Sequence, residues 1–250
     1  MKYSESERRK RGKRKKKNYF LNAGIVVLVI GGLYFLAFHS GVFDIKGIAV
    51  ENNVHYTSGQ IAELTGVKMG DNIFLTRVAE VAKQLERDPY IRKADVSWDL
   101  PDKLAVVLDE RKESVLVEYD DGYAIVDYDG MILRLTKEPL VMPVISGLMP
   151  IDPQAGKALK AEEAGYLKPT LDFIKFVEDN DFYIKKLDLG GVVTKAYVFD
   201  KLVLEGELNN MEKSIQEIKR IVADLDSQGI QRGTISVGSA SCSFSPEVLD

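Results

Sequence analysis

The 250-residue chain has one cysteine, Cys242, and two histidines, His39 and His55. A single thiol closes no intrachain disulfide, so any part outside the cytoplasm must fold by packing alone. Cys242 and the two histidines form no spaced ligand set, so neither metal nor other cofactor is expected. Also missing are a Gly-x-Ser-x-Gly elbow, Ser-x-x-Lys, His-Glu-x-x-His and a phosphate-cradling glycine loop. No catalysis is expected, although carboxylates are plentiful and a glycosidase-like pair assembled by the fold is the competing idea. No Asn-x-Ser/Thr sequon occurs, which with the lone cysteine suits a bacterial surface better than a eukaryotic secretory route.

Charge is missing altogether from Asn18 to Val42, and what fills that gap is the first positive feature. Tyr19–Phe38 is apolar apart from Asn22. Twenty helical residues rise about 30 Å, the hydrocarbon thickness of a bilayer. Tyr19, Phe20, Tyr34, Phe35 and Phe38 put rings near both ends, where interfacial anchoring favours them. The run is too long for a signal peptide, and Ala37–Val42 offers no small-x-small cleavage site. A retained single-pass anchor over 19–39 is expected, after a basic cytoplasmic tail over 1–18. The nine Lys and Arg between Arg8 and Lys17 hold the N-terminus in the cytoplasm by the positive-inside bias. Everything after His39 then lies outside.

Of the 34 Lys and Arg, ten lie in residues 1–17 against Glu5 and Glu7, a net of +8. The remaining 24 basic and 36 acidic side chains leave residues 18–250 at −12. The tail therefore grips membrane lipid, and the acidic remainder argues against nucleic acid as a partner. Phe43–Asp250 offers 208 residues, enough for one large or two modest domains.

After the membrane, FDIKGIAVENN reads as a strand with an irregularity near Gly47. Ser58 is placed to cap a short helix stopped by Gly66. Thr76 is placed to cap a second, whose Val78, Val81, Ala82 and Leu85 share one face. Asp88-Pro89 breaks it, Ala94, Val96 and Trp98 alternate, DLPD turns, and Leu104, Val106 and Leu108 alternate back. This β-α-α-β-β order spans 43–113. It resembles a POTRA domain, most specifically through Trp98-Asp99-Leu100-Pro101 followed by Leu104-x-Val106-x-Leu108-x-Glu110-Arg111. Single-copy and next to an anchor, it is similar to the FtsQ/DivIB family of bacterial division proteins. Lys112-Glu113-Ser114-Val115 stands where that family continues with Pro and a small apolar pair. Trp98 reads as a packed sheet residue, and Glu110-Arg111 as a solvated strand end.

Residues 114–246 read as a second, mixed sheet-and-helix domain, giving an α+β protein overall. Asp-Gly at 121–122 and 129–130 marks hairpins. Set against a calcium loop with Gly130 at position six, the required carboxylates fall on Ile125 and Thr136, so no metal site is expected. MPVISG resembles a family element that precedes a connecting helix, here expected near Leu167–Glu178. KKLDLGG, TKAYVF and KLVLEGE supply three short strands. Met211, Ile215, Ile218, Val222 and Leu225 step at 4, 3, 4 and 3, one stripe on a helix over Met211–Asp226 ended by Gly229.

The tail GTISVGSASCSFSP is serine-rich, and composition alone would call it disordered. Position by position, Ser239, Ser241, Ser243 and Ser245 alternate with Ala240, Cys242 and Phe244, the period of a strand with one hydroxyl face. It carries no Lys, Glu or Pro until Pro246, so as an edge strand near 239–245 it would be an open template. The resemblance implies that this strand binds a segment of an FtsB/DivIC-like single-span partner, itself paired with an FtsL-like one. The binding positions are Ala240, Ser241, Cys242, Ser243, Phe244 and Ser245. It admits the septal penicillin-binding transpeptidase as a further partner. The expectation is a non-catalytic scaffold of the division septum in the bacterial cell membrane. The alternative is a membrane-anchored cell-wall hydrolase.

Overall fold

A computed structural model describes residues 5–162 and 164–247, and the side chains of 5–18 and 164 are left aside. The chain divides into two compact units, Met1–Glu86 with Lys93–Asp109, and Arg87–Arg92 with Glu110–Asp250.

The first unit opens with helix α1 (Glu5–His39). Its part from Tyr19 to His39 is the one described helix long and apolar enough to cross a membrane, and none of it is buried by the protein. β1 (Gly47–Glu51), α2 (Ser58–Thr65), α3 (Val78–Leu85), β2 (Ile91–Asp99) and β3 (Lys103–Glu110) follow. The sheet order is β1-β3-β2, with β1 parallel to β3. Its core centres on Ile45, Ile73 and Leu104.

Two helix starts differ from expectation. Thr57, not Ser58, caps α2. It accepts from the Gln60 amide at 3.3 Å while Gln60 Oε1 accepts from the Thr57 amide at 2.9 Å, a reciprocal box that a serine one residue later cannot close. Thr76 does not cap α3 but closes a 3-10 turn over Ile73–Leu75, its amide donating to the Ile73 carbonyl. Arg77 then stands at the α3 N-cap with no side-chain cap bond.

The second unit is one nine-stranded sheet. Its strands are β4 (Val115–Tyr119), β5 (Gly122–Val126), β6 (Ile132–Thr136), β7 (Val144–Ser146), β8 (Lys186–Asp188), β9 (Thr194–Tyr197), β10 (Lys201–Gly206), β11 (Arg232–Val237) and β12 (Cys242–Ser245). They lie in the order β12-β11-β10-β9-β8-β7-β4-β5-β6. Helix α4 (Ala164–Asp179) lies between β7 and β8 in the chain, and α5 (Leu208–Lys213) and α6 (Ile215–Ser227) between β10 and β11. β10 and β11 are parallel, which a short turn cannot achieve, so the helical crossover is required. The single helix expected over Met211–Asp226 is broken at Ser214, whose backbone (φ −98°, ψ 10°) departs from helical values. The apolar stripe survives the break. Met211, Ile215, Ile218, Val222 and Leu225 are all buried in one core with Leu202, Leu204, Ile235 and Val237.

Candidate functional site

The end of the second unit is built by a tight turn. Gly238 donates its amide to the Ser241 carbonyl at 3.1 Å, turning the chain through Ser239 and Ala240 so that β12 runs antiparallel to β11. Ala240 and Ser241 therefore lie outside the strand, contrary to expectation. Folding back onto β11 consumes those residues as a turn, and the alternation of serines from 239 overstates the strand by three positions. Cys242, Ser243, Phe244 and Ser245 form β12 itself, opposite Val237, Ser236, Ile235 and Thr234.

Ser243 and Ser245 are exposed, while Cys242 and Phe244 are half-buried and pack against the main core. The Phe244 ring has its place because Gly233 lacks a side chain. A Cβ there would stand 2.6 Å from Phe244 Cε2 and 2.7 Å from the Ser245 carbonyl oxygen. Gly233 also sits at φ +130°, where other residues are strained.

β12 is an outer strand, with β11 as its only sheet neighbour among the described residues. With 238 and 241 a hydrogen-bonded pair, alternation makes Ser243 and Ser245 the residues bonded to β11. The main-chain groups of Cys242 and Phe244 are then directed away from it. One of these has a substitute acceptor, because Glu217 Oε1 on α6 lies 3.4 Å from the Cys242 amide nitrogen. Burial, and then the Glu217 carboxylate, push the Cys242 thiol up, which disfavours the reactive thiolate.

The opposite outer strand is defended. The Ile132 amide and carbonyl of β6 are taken by Lys157 and Gly156, at 2.9 and 2.8 Å, Arg134 charges the strand, and Lys137 and Glu138 follow its end. β12 itself carries no charge.

Elsewhere in this unit a cavity of about 480 Å³ is lined by Lys112, Met142, Pro143, Val177, Glu178 and Tyr183 among others. Glu178 accepts from the Tyr128 hydroxyl, which, followed by Lys112, holds its carboxyl below the usual range. A general acid of glycoside cleavage needs the opposite shift. Among the described residues no group of three or more His, Cys, Asp or Glu is placed to hold a metal ion.

Comparison with known proteins bears on this architecture. Residues 43–111 match the family model for a POTRA domain of the FtsQ type. The chain is 25% identical over 230 residues to a cell division protein DivIB of Clostridium botulinum strain Hall, covering 90% of both. It is 29% identical over 220 residues to a cell division protein FtsQ of Syntrophotalea carbinolica, covering 81% of this chain and 76% of that one. Over most of its length the chain is similar to FtsQ/DivIB cell division proteins, and residues 43–111 match their type of POTRA domain. That similarity, together with the apolar Tyr19–His39 part of α1, makes it a membrane-anchored division protein. Tyr19, Phe20, Tyr34, Phe35 and Phe38 all fall on the apolar part of α1 and are exposed by at least a third.

Proposed function

We propose that this FtsQ/DivIB-like chain is a non-catalytic docking platform that adds a partner's strand to β12. The observation that carries the reading is the uncharged outer strand whose Cys242 and Phe244 main-chain groups point away from the sheet. An added strand bonds to such an edge through its backbone, and alternate side chains supply selectivity. The exposed hydroxyls of Ser243 and Ser245 and the Phe244 ring give the two sides of β12 different chemistry.

The partner is an FtsB/DivIC-like single-span protein paired with an FtsL-like one, and the septal transpeptidase joins through them. The N-terminus is cytoplasmic, the two units lie outside, and the protein works at the septum. Support for this side assignment is the +8 tail ahead of an uncharged span.

The test is a photo-crosslinking residue at Ser243 in living cells, with mass spectrometry of what is captured. A small single-span coiled-coil protein is expected, and Phe244→Pro should abolish its capture by removing an outward donor. Normal capture by a folded Phe244→Pro chain would sink the strand-addition mechanism. The purified chain should release no soluble fragments from cell wall, whereas the hydrolase alternative requires them.

A further inference from the structure

One corner of the first unit carries large apolar side chains that its core leaves uncovered. Trp98 continues the buried parity of Ala94 and Val96 along β2, yet 47% of it is exposed. Leu75 is 69% exposed and Leu100 55%. Leu75 ends the 3-10 turn that also holds Phe74, and Phe74 meets Trp98 edge-on with ring centroids 5.8 Å apart.

Two independent constraints put this corner at the end of the membrane span. The first is sheet register. β1 begins with Gly47 opposite Lys103, the Lys46 amide donates to the Asp102 carbonyl at 2.8 Å, and Lys46 Nζ lies 3.0 Å from Asp102 Oδ2. The β2–β3 turn is thus fixed beside Lys46, seven residues after His39 at the end of the span. Seven residues reach about 25 Å at most when fully extended. The second is direct contact. Phe38 of α1 and Phe74 have ring centroids 6.3 Å apart, and Asn72 Nδ2 donates to the Ala37 carbonyl at 2.7 Å, satisfying one of the orphan acceptors of the helix end. Rings therefore run unbroken from the anchor, Phe38 to Phe74 to Trp98.

We infer that Phe74, Leu75, Trp98 and Leu100 seat in the interfacial layer of the leaflet through which the span's C-terminal end leaves. Lipid is the occupant because the patch is continuous with a surface already in lipid. Tryptophan, apolar in body with one N–H to satisfy, favours that layer. Lys46, whose side chain is 63% exposed, stands at the same corner within reach of headgroup phosphates. The first unit thereby gains a second, non-covalent attachment that restricts how it swings on its anchor. This attachment does not depend on what the second unit binds.

Trp98 is the sole tryptophan, so the full chain reports on itself. It would be placed in lipid nanodiscs of phosphatidylcholine and phosphatidylglycerol, open to solvent on both faces. Expected are blue-shifted Trp98 emission, strong quenching by lipids brominated high on the acyl chain, and protection from iodide. Red-shifted emission, full iodide access and no bromolipid quenching, in a chain that still co-elutes with the disc, would overturn the assignment while leaving the anchor intact. Leu75→Ser with Leu100→Ser keeps the reporter and should lose most of the bromolipid quenching. Unchanged quenching in that variant, with its circular dichroism preserved, would also overturn it. Should the variant misfold, the unmodified chain alone decides.

Discussion

At the residue scale, the most committed polar group is Asp127. Its side chain is 2% exposed and accepts from Arg111 Nη1 at 2.6 Å through Oδ2, and from the amides of Asp129 and Met131 at 3.0 and 2.8 Å through Oδ1. Arg111 is thus the held partner of a buried carboxylate rather than a solvated strand end, and only a contact 16 residues along the chain decides between those readings. Asp127→Ala leaves two amides unmatched and leaves Arg111 only the exposed Asp129 carboxylate, 3.3 Å away. It should cost the second unit about 3–5 kcal/mol, read as a lowered denaturant midpoint, with Asp127→Asn retaining part because one acceptor remains. Tyr90 supplies a pH signature. Burial, then its 2.6 Å hydrogen bond to Glu113, push its hydroxyl up to about 12, and burial with the Glu178 bond raises Tyr128 as well. A raised tyrosine keeps its proton in the folded state when the unfolded chain has lost it. Its stabilisation is therefore complete below the ordinary value near 10 and disappears as pH rises through the folded value. Denaturant midpoints should fall between about pH 10 and 12, and Tyr90→Phe with Tyr128→Phe should flatten that fall.

At the element scale, the outer strand depends on Gly233. A Cβ at that position meets both the Phe244 ring and the Ser245 carbonyl, so Gly233→Val should peel β12 away while Ile235 and Val237 hold β11 in the core. Hydrogen exchange should rise at residues 243 and 245 and at their partners 234 and 236, with β10 and the other β11 amides still protected, and crosslinking from Ser243 should fail in the same variant. What was legible in the sequence follows the range of the interaction responsible. The α5–α6 stripe and the β2–β3 alternation are written by near neighbours and appear where the pattern put them, whereas the two Asp-Gly turns fall one residue early, on 120–121 and 128–129. The kink at Ser214 was not legible, because the hydrophobic step across it is unbroken and only the backbone changes. The short extent of β12 was also hidden. Ser-Ala-Ser alternates as well in a turn as in a strand, and only the return to β11 shows where pairing begins. Trp98 obeys the right parity, but exposure at the end of a strand depends on where the helical cover stops.

At the scale of the whole molecule, the charge division and the anchor make one argument. A tail of net +8 precedes an uncharged run, and residues 18–250 sum to −12, so the proposed sidedness rests on electrostatics acting during insertion rather than on the fold. The assignment has a direct check, because Val54 in the first unit and Val192 in the second are 90% and fully exposed. With Cys242→Ser removing the only native thiol, Val54→Cys and Val192→Cys should each react with a membrane-impermeant maleimide in intact protoplasts. Reaction only after permeabilisation would put both units in the cytoplasm and end the docking proposal, since an extracytoplasmic partner segment would never meet β12. Replacing the nine basic residues between Arg8 and Lys17 by Gln should move a measurable fraction of the chain to the inverted orientation, seen as labelling lost from intact cells. If labelling stays complete, the tail does not set the orientation.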